Sequence, residues 1–105
     1  MFIINGIEWN VVFSRPNSAQ LARSDGSLTV GMTDWKQRTI FLSDALYGTF
    51  LRKVFIHEVC HAACFSYDIQ MDIEQEEFLC DFVATYGDEI FQIVDAVFVA
   101  IKNIA

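Results

Sequence analysis

Phe55-Ile56-His57-Glu58-Val59-Cys60-His61 is the stretch that decides how the rest of the chain is read. It carries the spacing His-Glu-x-x-His. On an α-helix, residues four apart lie on one face, so both imidazoles can point at a single ion. Glu58 lies beside that face, where a carboxylate can take a proton from a metal-activated water without being a ligand itself. His57 and His61 are the only two histidines in 105 residues. Burying two imidazoles and a carboxylate is costly unless they have partners or a task. The flanks predict that the helix is sandwiched. Leu51, Phe55, Val59 and Ala62 form one apolar stripe; Phe50, Val54 and Phe65 bracket the histidines on a second.

A catalytic zinc takes three protein ligands and keeps one position open. With no third histidine, the remaining ligand must be a carboxylate or a cysteine. The distribution of charge says where to look. The chain has 14 acids, 7 bases and a net charge of −7. Residues 1–67 are close to neutral, and nine of the acids follow Tyr67. Most of that run reads as a solvated loop and helix start, where acids are favoured. Within it, Glu77-Phe78-Leu79-Cys80-Asp81 sets two carboxylates four apart. Glu77 is the candidate third ligand, with Asp81 holding the free N–H of a ligand histidine. Glu76, Glu74 and Cys80 are the alternatives to Glu77. Phe78, Leu79, Phe82, Val83 and Tyr86 read as the core side of this helix. Cys60, Cys64 and Cys80 otherwise read as small packing residues and free thiols.

Upstream, residues 7–13, 28–33 and 39–43 read as strands, with 34–37 as a connecting loop. Downstream, Ser43-Asp44 or Thr49 is expected to cap the helix that runs to about Tyr67. A second helix is expected from 71–73 to Gly87, and a third from about 89 to 103 behind an Asp88 cap. The pattern predicts an α+β fold, a small mostly antiparallel sheet followed by three helices, with residues 1–105 as one domain. Disorder is excluded by 53% hydrophobic and 20% charged residues. The acidic balance argues against nucleic acid. Apolar runs are too short to span a bilayer, and the N-terminus lacks a signal pattern, so a membrane partner is not expected and a cytoplasmic location is. The last helix is apolar nearly all round and is expected in the core, with a homodimer contact on one face.

His-Glu-x-x-His followed by Glu77-x-x-x-Asp81 resembles the gluzincin metallopeptidases. The short length and the strand pair before the helix resemble the minimal zincins of bacteria and phages, including ImmA/IrrE-like domains. The resemblance implies a zincin-like peptidase with one zinc ion. His57, His61 and Glu77 would be its ligands, Glu58 the general base, and Asp81 the support of a ligand histidine. With no histidine left for the oxyanion, Tyr67, Tyr47 or Tyr86 is expected to donate there. The strand 39–43 is expected to offer an open edge to an extended peptide or protein substrate. The alternative is a zincin-fold binding module whose metal is structural.

Overall fold

A computed structural model describes residues 1–104. Four strands, β1 (Phe2–Ile4), β2 (Ile7–Ser14), β3 (Gly31–Asp34) and β4 (Thr39–Ser43), precede two long helices, α1 (Gly48–Ser66) and α2 (Ile73–Ile104). A single 3-10 turn, Ala19–Leu21, lies between β2 and β3. The architecture is α+β. The sheet has the order β1-β2-β4-β3 and is mixed, not mostly antiparallel. β2 and β4 run parallel, Asn10 opposite Thr39 and Ser14 opposite Ser43, while the other two pairings are antiparallel. Parallel neighbours need a connection of a dozen residues or more, and the chain between β2 and β4 supplies it. β3 sits within that connection and folds back on β4 as a hairpin.

β1 is an addition to the expected strands. It joins β2 through Asn5 and Gly6, both at positive φ (50° and 75°). Asn-Gly between apolar strands is a strong hairpin signal, because a tight primed turn needs positive φ at both central residues. β4 is buried along its whole length and paired on both sides, so it has no open edge. The free edge next to α1 belongs to β3.

The core forms where the sheet meets α1. Trp9, Ile40, Leu42, Val54 and Ala62 are its buried centre, with Leu51, Phe55 and Val59 packed around them. The first predicted stripe of α1 therefore faces the core. Trp9 is fully buried, and its indole N–H donates to Ser66 Oγ at 2.8 Å. Asn5 donates to the Ser66 carbonyl at 3.0 Å. These bonds fix the end of α1 against the β1–β2 hairpin. The helix begins after Tyr47 without a side-chain cap, so neither Ser43-Asp44 nor Thr49 caps it.

The region expected to hold two helices is one. Gly87 is buried within α2, and Asp88 pairs with Arg52 of α1 through two hydrogen bonds of 2.8 Å instead of capping a new helix. Asp72 caps α2, its Oδ1 accepting from the Gln75 amide at 2.8 Å. The phase of α2 also differs from expectation. Phe78, Phe82 and Tyr86 stack along an exposed face, while Cys80 and Gly87 are buried. Aiming Glu76, Glu77 and Asp81 at α1 sets this rotation, which turns the aromatic stripe outward. Beyond Gly87 every described residue of α2 is exposed, so the apolar C-terminal half is not in the core. No helix among the described residues is long and apolar enough to cross a membrane.

Candidate metal centre

His57 and His61 project from the middle of α1, and the first turns of α2 bring carboxylates to them. The two Nε2 atoms are 3.1 Å apart. Glu77 reaches both: Oε1 is 2.9 Å from His61 Nε2 and Oε2 is 3.3 Å from His57 Nε2. The other nitrogen of each ring is also held. His57 Nδ1 lies 2.8 Å from Asp81 Oδ1, and His61 Nδ1 lies 2.6 Å from Glu76 Oε2. A carboxylate at Nδ1 fixes the tautomer, with the proton on Nδ1 and the lone pair on Nε2. Two imidazole lone pairs and a carboxylate then converge with no hydrogen between them, an arrangement that a cation satisfies. Ligands about 2.0–2.1 Å from a tetrahedral zinc are separated from each other by about 3.3 Å, close to the spacings found here. The residues present therefore fit a zinc ion. His57, His61 and Glu77 are the one group of potential ligands gathered in this way among the described residues.

Glu58 occupies the place expected of it, at the edge of this cluster. It is buried, and its Oε2 lies 4.0 Å from His57 Nε2. The Thr33 hydroxyl on β3 donates to its Oε1 at 2.8 Å. Burial pushes the Glu58 carboxyl above the usual carboxylate range, against the opposing pull of Thr33 and the two histidines. Sequence reasoning missed Thr33. Its signal was the two-residue period of β3, which puts Gly31 and Thr33 on the side facing α1. Gly31 is there because the helix comes too close for a side chain. A Cβ would stand 2.8 Å from Val54 Cγ1 and 3.1 Å from Glu58 Cγ. Gly31→Ala is expected to cost about 1–3 kcal/mol by overpacking, read as a lower urea midpoint at constant slope.

The cluster opens into a cavity of about 570 Å³ between β3, α1 and α2. Phe50, Val54 and Phe65 of the second predicted stripe line it together with the histidines, and so do Arg23 and Lys53. Tyr67, Tyr47 and Tyr86 do not line it. Tyr67 ends α1 and is largely exposed, as are the other two. The cysteines stand apart from the metal cluster. They neighbour one another where α1 and α2 pack, and burial pushes the Cys64 and Cys80 thiols up, which keeps them protonated and unlike ligands. Glu74 is likewise outside the cluster. Glu76, an alternative ligand by sequence, instead holds the outer nitrogen of His61.

These outer carboxylates differ in exposure. The Glu76 side chain is 14% exposed and that of Asp81 is 70% exposed. Water can replace Asp81 but has little room to replace Glu76. Glu76→Ala is expected to weaken zinc binding by about 100-fold and Asp81→Ala by about tenfold, measured by competition with a chromophoric chelator.

Residues 8–78 match the SprT-like family, a span that takes in all but the first residue of β2, then β3, β4, α1 and Glu77. The chain belongs to the SprT-like family. SprT-like domains are related to the zincin-like metallopeptidases, which agrees with the fold class and with the histidine and glutamate cluster. The SprT-like match stops short of Asp81 and of the exposed half of α2. No curated protein and no solved structure gives a significant match.

Proposed function

We propose that the chain is a zinc-dependent peptidase, with His57, His61 and Glu77 as the zinc ligands and Glu58 as the general base. The observation that supports this best is the convergence of two histidine lone pairs and one carboxylate beside a buried, hydrogen-bonded glutamate. A zinc ion held by these ligands would act as a Lewis acid toward water and a peptide carbonyl. Glu58 accepts the proton of the attacking water and returns it to the leaving amine. Thr33 keeps the Glu58 carboxylate turned toward the cluster while that transfer occurs. Asp81 and Glu76 hold the imidazoles in the tautomer the ligands need. An extended peptide adds to the free edge of β3, which borders the cavity, so substrate reaches the site by strand addition.

Tyr67 has no support as an oxyanion donor from its placement, whereas Arg23 and Lys53 both line the cavity. The likeness to ImmA/IrrE-like domains rests on the short strands and the His-Glu-x-x-His helix. A reducing compartment such as the cytoplasm suits three free thiols. The test is metal content with cleavage. The purified chain is expected to hold one zinc and to cleave an unstructured protein such as casein, with cleavage stopping on chelation and returning with zinc. Zinc-free protein that takes up no metal overturns the reading.

A further inference from the structure

The C-terminal half of α2 is a helix without a partner. Nine large apolar residues between Ile90 and Ile104 are each at least 42% exposed. They are ordered by position. Ile90, Ile93, Val94, Val97, Ile101 and Ile104 follow spacings of three and four and form one stripe. Phe91 and Phe98 flank it. Asp88, Gln92, Asp95 and Lys102 lie on the opposite face. The stripe continues at its base into Tyr86 and Phe82, which are also exposed. The SprT-like match ends at residue 78, so this segment is an extension beyond the part of the chain that carries the metal centre.

We infer that this face is the interface of a homodimer, in which α2 of one copy packs antiparallel along α2 of a second. Eight of the nine side chains lie on or beside the stripe, with Val99 on the other face, and present on the order of 900 Å² of apolar surface, against about 800 Å² per partner in a standard interface. Leaving that area in water is unlike a stable monomer, whose largest apolar patch is about 300–600 Å². A second copy fits it in length as well as chemistry. The exposed segments are identical, so an antiparallel pair overlaps from tip to base. With Asp95 of the two copies level, Ile93 of one lies beside Val97 of the other, Ile90 beside Ala100, and Tyr86 beside Ile104. That register sets apolar residues level at these three layers, opposes the two helix dipoles, and leaves Asp88, Asp95 and Lys102 on the outer, solvent face of the pair. Parallel pairing would instead align the two helix dipoles. An anionic lipid surface is a poorer occupant, because the residues after Tyr67 carry nine acids and one base.

The test is the mass of the full chain in solution at micromolar concentration, by light scattering after gel filtration. Twice the 12.0 kDa chain mass is expected. Val97→Glu with Ile101→Glu is expected to give the single-chain mass with unchanged helix content and zinc binding. Both residues are exposed, so the fold does not depend on them. For orientation, Ile90→Cys mixed with Ala100→Cys should cross-link under mild oxidation, and Ile90→Cys alone should not. A monomeric wild-type chain overturns the inference, as does a dimer unaffected by the two glutamates. Cross-linking of Ile90→Cys to itself overturns the antiparallel arrangement. A monomer that sediments with phosphatidylglycerol vesicles assigns the face to lipid instead.

Discussion

Glu58→Gln is expected to lower kcat for peptide cleavage by about 10²–10⁴-fold while the zinc content stays at one per chain. Glutamine keeps the volume and keeps an oxygen for the Thr33 hydroxyl, 2.8 Å from Oε1 in the native chain. It cannot take up a proton from water. The proposed ligands His57, His61 and Glu77 are untouched, so binding and catalysis separate in this variant. Stability supplies an independent readout. Burial raises the Glu58 pKa in the folded chain. The zinc-free fold therefore keeps the stability of a protonated Glu58 below its ordinary pKa and loses it as pH rises through the raised value. The glutamine variant lacks that loss, so zinc-free Glu58→Gln should be as stable as the parent at low pH and more stable above the raised pKa. Undiminished cleavage by Glu58→Gln excludes Glu58 as the base. Zinc binding in the parent chain without any cleavage favours the alternative of a binding module with a structural metal.

Which parts of the fold were legible in the sequence follows from how local their causes are. The His57–His61 pair depends only on helical periodicity, and β4 was readable to the residue because its five positions are β-branched, apolar or small between clear turn signals. The parallel pairing of β2 with β4 was not readable, since strand neighbours separated by a long connection leave no local trace. Gly87-Asp88 looked like a helix stop followed by a cap. It is mid-helix, with Gly87 buried and Asp88 bonded to Arg52, a partner 36 positions earlier that no local pattern marks. The rotation of α2 departs from its apolar pattern for a related reason. Apolar content favoured Phe78, Phe82 and Tyr86 as the inner face, but three carboxylates directed at α1 turn them outward. Among the site residues, Glu77 and Asp81 followed from their spacing, whereas the role of Glu76 did not. The two histidines offer two outer nitrogens, and the spacing Glu77-x-x-x-Asp81 marks a carboxylate for only one of them.

His57→Ala and His61→Ala are each expected to reduce bound zinc from one per chain to less than a tenth, measured by metal analysis after dialysis. Either change leaves two protein donors where three are needed to hold the ion with a position open. The two are not equal. The His61 side chain is 8% exposed against 17% for His57, and its outer carboxylate, Glu76, is 14% exposed against 70% for Asp81, the outer carboxylate of His57. Removing it leaves the more buried carboxylate, Glu76, without its partner, so His61→Ala should also lose more stability in the zinc-free chain. Glu77→Gln keeps an oxygen but loses the charge, and its zinc affinity should fall between the parent and the histidine variants. The ion is expected to act on the fold through the same contacts, because its ligands come from both helices and tie the start of α2 to α1. At free zinc about 1,000 times Kd, linkage adds about 4 kcal/mol to the stability of the parent chain. Thermal melts should show that gain in the parent and not in His57→Ala or His61→Ala. An equal rise in Tm on adding zinc to all three chains would mean that the ion binds elsewhere.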